Sequence, residues 1–192
     1  MTTGRLRSGL LIAVTTLLLA GCKEDSVSLP QPVDMSAEAV GFYCQMDLLN
    51  HDGPKGQIHL SGLQAPIFFS QVRDTIAYLN MPEQSHAVLV AYVQDMSGDV
   101  SWARPGGWIA ADSAIYVTGS AMMGGMDAPE FVPFSDPVAA AAFAQTHGGV
   151  LRRFDELGSQ EAAIGAVATP GPEDDSNIAD RLRALAPADR TN

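Results

Sequence analysis

The chain is poor in cysteine, with two in 192 residues, and poor in positive charge, with eleven Lys and Arg against twenty-two Asp and Glu. Two cysteines cannot staple a disulfide-dense scaffold. A formal net charge of −11, with no basic stripe, excludes nucleic-acid binding by phosphate neutralisation. No apolar run reaches the roughly 20 residues that cross a bilayer as a helix. The chain has no HExxH, GxSxG, P-loop or GxGxxG, and no pair of residues at zinc-ligand spacing. Its carboxylates are scattered and read as a solvated surface, not as paired acid and base. What is present is 46% hydrophobic residues, enough to build one compact domain or two very small ones.

Residues 10–20 (LLIAVTTLLLA) form a short apolar run behind Arg5 and Arg7, the pattern of a signal-peptide core. It ends in Leu19-Ala20-Gly21-Cys22, which resembles a bacterial lipobox. In such signals the cysteine thiol is thioether-linked to diacylglycerol and the chain is cut before it. We therefore expect a signal peptide over 1–21, and a lipidated Cys22 with a polar, proline-bearing tether over 22–36. A multiply acylated N-terminus anchors stably to a membrane. Lys23 follows Cys22 where an Asp commonly signals inner-membrane retention, so the expected place is the outer membrane, facing the periplasm. Losing Arg5 and Arg7 from eleven cations leaves nine against twenty-two anions, a balance of −13. Lipidating Cys22 leaves Cys44 as the remaining thiol.

The body alternates short β-rich runs with two helical windows. Strands are expected at 57–61 and 66–70, then a helix capped by Ser70 with Val72, Ile76 and Leu79 on one face. The strand at 86–95 is apolar enough to be central, and 100–103 is expected to pair back onto it. The order then repeats: strands at 114–119 and 131–134, a helix capped by Asp136 with Pro137 at its first position, and a closing strand at 150–154. Phe69-Ser70 precedes Ala77-Tyr78 as Phe134-Ser135 precedes Ala142-Phe143, with the aromatics nine positions apart both times. The expected fold class is therefore α+β, two tandem ββαβ units over 37–105 and 106–157, each with a small mixed or antiparallel sheet and one helix. Residues 158–192 are small, polar and rich in Pro and Gly, the composition of a disordered tail.

Cys44 carries the chemistry first. In an oxidising compartment a lone thiol is either a buried small hydrophobe or a retained reactive group. Met46 follows at i+2, which on an extended backbone puts thiol and thioether on one face. Paired soft donors select Cu(I) over harder divalent ions. A second sulfur cluster, Met122-Met123-Gly124-Gly125-Met126, sits in a glycine-rich loop, a poor place for core methionines. Met126 stands directly after the double glycine, which lets backbone approach a partner site; Met123 is its alternative. His51, in a turn a few residues beyond Cys44, is either a further ligand or a surface histidine. His59 and His86 lie in predicted strands, and His147 in a last helical turn is explained by the helix dipole.

Cys44-Gln45-Met46 followed by His51-Asp52-Gly53-Pro54-Lys55-Gly56-Gln57 resembles the nitrous oxide reductase accessory lipoprotein family, NosL. The likeness continues through Tyr116-Val117-Thr118-Gly119-Ser120, Gly124-Gly125-Met126, Pro133-Phe134-Ser135, His147-Gly148-Gly149 and Arg153-Phe154-Asp155-Glu156. It implies a tandem ββαβ fold shared distantly with organomercurial lyase, and a periplasmic Cu(I) carrier. The carrier would hand copper to apo nitrous oxide reductase, or to its membrane-associated maturation machinery, for the copper–sulfide centre. By position the resemblance assigns Cys44 and Met126 as ligands, with Met46 next. Many members read Cys-Gly-Met where this chain has Gln45, and some carry a second cysteine where this chain has Gly41-Phe42-Tyr43. Two other classes compete: a metal-free docking lipoprotein, in which Cys44 is buried and unreactive, and a lyase-like thiol enzyme, which would want two thiols.

Overall fold

Residues 57–60 alternate polar and apolar side chains because each face of their strand has its own cover. That strand, β1 (Gly56–Leu60), lies between β2 (Ile67–Phe69) and β3 (Val88–Gln94), and β3 in turn pairs with β4 (Trp108–Ala110). All pairs are antiparallel. A second antiparallel sheet has β5 (Ile115–Thr118) at its centre, flanked by β6 (Val132–Phe134) and β7 (Val150–Arg153). Helix α1 (Val72–Leu79) joins β2 to β3, and α2 (Pro137–His147) joins β6 to β7. The order is ββαβ twice, the expected α+β arrangement, in a computed structural model that describes residues 28–158. The expected signal peptide, Cys22 and nearly all of the expected tail lie outside the described residues.

The short repeat has a physical meaning. Phe69 ends β2 and meets Tyr78 of α1 at 5.6 Å between ring centroids, with planes 54° apart. Phe134 ends β6 and meets Phe143 of α2 at 5.2 Å, again at 54°. Each unit thus pins its helix to its second strand with one tilted aromatic pair.

The units do not stand apart. Val72, Ile76 and Val93 of the first unit share one core with Tyr116 and Phe131 of the second. Asp95, at the end of β3, receives hydrogen bonds from Ser135 N–H (2.9 Å) and from the Ser135 hydroxyl at the start of α2. Burial pushes the Asp95 carboxyl up, but these bonds and those from Ser97 outweigh it and hold its pKa below the usual value. The Asp136 carboxylate accepts Val138 N–H at 2.9 Å and caps α2 as expected.

Four expectations are corrected. Ser70 does not cap α1; the cap position is Gln71, whose side chain makes no capping bond. Residues 100–103 do not pair back onto β3. Ser101 forms a single bridge with Arg104, and the returning strand is β4, with Tyr92 opposite Ala110 and Gln94 opposite Trp108. Gly106 permits this return, because a side chain there would strike the Asp95 carbonyl oxygen that Gly106 N–H bonds at 2.8 Å. Strand β4 therefore belongs to the first sheet, although the sequence division put 106–157 in the second unit.

The fourth correction concerns the tether expected over 22–36. Gln57, fully buried, receives Val33 N–H at 2.9 Å and donates to the Val33 carbonyl at 3.0 Å. Tyr92 donates to the Pro30 carbonyl at 2.7 Å. Residues 30–33 thus strap the outer face of the first sheet, over Gln57 and Tyr92. Buried His59 shares the Gln57 oxygen at 3.2 Å and packs edge-on against Tyr92. Replacing Gln57 with Ala is expected to cost about 2 kcal/mol, from two lost hydrogen bonds and a stranded imidazole. Denaturant unfolding measures the cost, and hydrogen exchange at Val33 N–H shows the strap released.

Candidate metal centre

The cysteine loop hangs from the edge of the first sheet. Phe42 N–H bonds the Phe68 carbonyl of β2 at 2.7 Å, and Gly41 pairs with Phe68 as a bridge. Gly41 N–H closes the loop onto the Met46 carbonyl (3.0 Å), and Gln45 N–H turns back to the Gly41 carbonyl (2.9 Å). The stretch 41–46 is therefore a closed turn and not the extended segment that the Cys44–Met46 spacing suggested. Gln45 sits at φ +55°, the left-handed region that favours glycine. This is the position where the family resemblance expects Gly. Its side chain compensates by donating to the Phe42 carbonyl (2.7 Å) and the Gly41 carbonyl (3.2 Å).

Cys44 is unpaired and half-buried. Its Sγ lies directly over Gly41, where any side chain would collide with it. The same added carbon would stand 3.7 Å from Ser70 N. Ser70 also supports the methionine loop: a carbon on Gly125 would come within 2.9 Å of Ser70 O and 2.8 Å of His51 Cβ. The segments carrying Cys44, His51 and Met126 consequently meet around one buried residue at the entrance to α1. No sequence signal singled out Ser70 for that role.

Within the methionine loop, Asp127 N–H bonds the Gly124 carbonyl (3.0 Å) and Gly124 N–H bonds the Ala128 carbonyl (2.8 Å). Met123 bridges to Pro129 across the neck. Met46, Met123 and Met126 remain 45%, 45% and 40% exposed, so their thioethers are not core filling. The structure brings Met126 to the first unit by its backbone, since Met126 N–H donates to Gln71 Oε1 at 3.3 Å. Met123 has the neck position, on the other side of the glycine pair from Met126.

Below these loops lies polar machinery that the sequence reading passed over. Lys55 is buried, and its ammonium donates to the carbonyls of His51 (2.6 Å) and Gly53 (2.5 Å), which shapes the turn bearing His51. Burial lowers the Lys55 pKa to about 8, against the opposing pull of Glu130 and Asp52. Glu130 is fully buried; its Oε1 accepts Arg73 N–H (2.9 Å) and Phe131 N–H (2.8 Å). Burial raises its pKa to about 8. Two buried atoms here have no hydrogen-bond partner among the described residues, Glu130 Oε2 and His51 Nε2. A charged residue directly before the apolar Phe131-Val132 run is the one sequence sign of this layer.

The other histidines stand aside. His86 is exposed and bonded to Ser85, and His147 stacks on Phe143 at 4.5 Å. Among the described residues no three of His, Cys, Asp and Glu gather as a metal-holding group. The donors at this junction are one thiol, one free imidazole nitrogen and exposed thioethers, a soft set that fits Cu(I) and is a poor match for zinc or calcium.

Fold and site together define a two-unit ββαβ domain with a single-thiol, methionine-rich cluster where its units join. The profile of the NosL family matches residues 32–162, and the chain belongs to that family. Among its relatives, the copper-binding lipoprotein NosL of Achromobacter cycloclastes is 49% identical over 181 residues, covering 91% of this chain and 93% of the relative. The protein of the same name from Stutzerimonas stutzeri is 33% identical over 173 residues, covering 83% and 86%. The crystal structure of the copper chaperone NosL from Shewanella denitrificans superposes with a TM-score of 0.63 at 33% identity, over 67% of this chain and 96% of that one.

Proposed function

We propose that the chain is a lipid-anchored, periplasm-facing Cu(I) metallochaperone that supplies copper for maturation of the copper–sulfide centre of nitrous oxide reductase. It acts as a binding protein and not as an enzyme. The observation that carries the reading is the meeting of the Cys44 and Met126 loops at Ser70, in a chain whose relatives are named for copper binding. Cys44 is half-exposed, which favours an accessible thiol over the inert buried one that a metal-free docking lipoprotein would carry. A single thiol also leaves lyase chemistry without its second sulfur.

In this reading Cys44 supplies the thiolate and Met126 a thioether, with Met46, Met123 and His51 as the remaining donors within the two loops. Mixed thiolate–thioether ligation suits a carrier that must release its cargo. Ligation displaces a thiol proton, so affinity falls as pH is lowered. Cys22 provides the anchor, in the outer membrane, and the recipient is the apo-reductase or its membrane-associated assembly machinery.

The test is anaerobic Cu(I) titration of the full-length chain in detergent, against a chromophoric Cu(I) chelator, followed by incubation with apo-reductase. One equivalent should bind, Met126→Ala should weaken it about tenfold or more, and the bound ion should pass to the reductase. Absence of tight one-to-one binding would overturn the reading.

A further inference from the structure

Gln71 and Glu130 have exchanged the tasks their positions would ordinarily give them. Gln71 occupies the cap position of α1 with an extended backbone (φ −148°), where a polar side chain usually bonds the helix's own N–H groups. It does not. The carboxyl of Glu130, from the second unit, bonds Arg73 N–H of that first turn instead. Gln71, only 3% exposed, is thereby released to reach the second unit.

Its amide is used in both senses. Nε2 donates to Asp74 Oδ1 at 2.9 Å, and Oε1 accepts Met126 N–H at 3.3 Å. A backbone N–H can only donate, and with Asp74 Oδ1 as the acceptor the amide orientation is fixed by its neighbours. Gly124 lies so close that a side chain there would meet both Gln71 Oε1 and Glu130 Oε2 at 2.6 Å. The methionine loop, closed on itself by its own backbone bonds, is therefore set down on Gln71.

We propose that Gln71 is a positioning residue for the metal site: it fixes where the Met126 thioether stands relative to Cys44 without touching the ion. The proposal rests on the copper reading above. Three consequences follow. Loss of the amide frees Met126 N–H, lets the loop wander, and removes one sulfur from the copper shell while leaving the Cys44 bond in place.

The experiment uses the full-length chain in detergent, as wild type, Gln71→Leu, Met126→Ala and the double variant. Leucine lacks both hydrogen-bonding functions of glutamine and brings no sulfur donor to the copper. Gln71→Leu is expected to lower Cu(I) affinity about tenfold, in the range of a lost outer-shell partner. Met126→Ala should then cost clearly less in that background than in the wild type, the sign that the two act together. X-ray absorption at the copper edge should count one sulfur fewer. Additive costs with an unchanged sulfur count would overturn the proposal.

A measurement without copper separates this from the reading it rests on. The Met126 amide proton of the apo-protein should exchange at least tenfold faster in Gln71→Leu than in wild type; an unchanged rate overturns the positioning role. If Cys44→Ser and Met126→Ala both left Cu(I) affinity intact, the copper reading would fall, and the exchange rate alone would decide whether Gln71 holds the loop. Should Gln71→Leu not fold, Gln71→Asn serves: it keeps both functions but is one methylene too short to span Asp74 and Met126, and the same losses are expected.

Discussion

Replacing Cys44 with Ser is expected to reduce Cu(I) affinity by more than about 100-fold, beyond the roughly 10–100-fold typical of losing an outer-shell partner. The hydroxyl is a hard, neutral donor where a soft thiolate stood. Folding should be untouched, because the side chain is half-exposed in a turn whose closure depends on the backbone of Gly41, Gln45 and Met46. Competition titration and a thermal scan on the same sample separate the two effects. Wild-type affinity in Cys44→Ser would show that the ion is held elsewhere.

The second large effect concerns stability and pH. Burial, more than the nearby Asp74 charge, raises Glu130 from 4.5 to about 8, although backbone N–H groups of Arg73, Phe131 and Val72 pull the other way. Between those two values the native protein keeps a proton that the unfolded chain has released. Unfolding free energy must therefore fall as pH rises from about 4.5 to about 8. At about 1.4 kcal/mol per unit the drop is on the order of 5 kcal/mol. Lys55 acts oppositely and higher: lowered from 10.5 to about 8, it makes stability rise across that interval. Glu130→Gln keeps an oxygen for Arg73 and Phe131 N–H but has no charge to bury. The difference between its profile and that of wild type isolates this group from His59 and Asp74, which are also shifted. Denaturant unfolding from pH 5 to 9 should show the variant gaining stability over wild type as pH approaches 8. A constant difference across that range would remove Glu130 as the source.

Much of the local structure was legible because it is governed by short-range rules. Asp136-Pro137 announces the start of α2, and Gly148 at φ +75° follows its end. The two Phe-Ser windows announce a repeated unit, and each forms a tilted ring pair between its second strand and its helix. The strand at 108–110 was misplaced because only the approach of Gly106 to Asp95 determines where the chain returns. Residues 30–33 read as part of a tether from the sequence because polar composition says nothing about a buried glutamine 24 residues away that matches the backbone groups of Val33.

The candidate ligands divide in the same way. Cysteine among methionines and glycines is a statement about chemistry, and the sequence by itself determined it: soft donors, a glycine pair that permits close approach, and the likeness to one family. Spacing suggested that Cys44 and Met46 share a strand face, and the closed turn at 41–46 replaced that geometry. Only the tertiary structure decided which loop joins the cysteine loop at Ser70. Residue 126 is remote from residue 44 along the chain, and what joins them is a helix start, where Ser70 packs, Gln71 reaches across and Glu130 caps in its place. Such contacts depend on the shared core of the two units, since burial gives a single amide or carboxyl its leverage, and burial is a property of the whole fold.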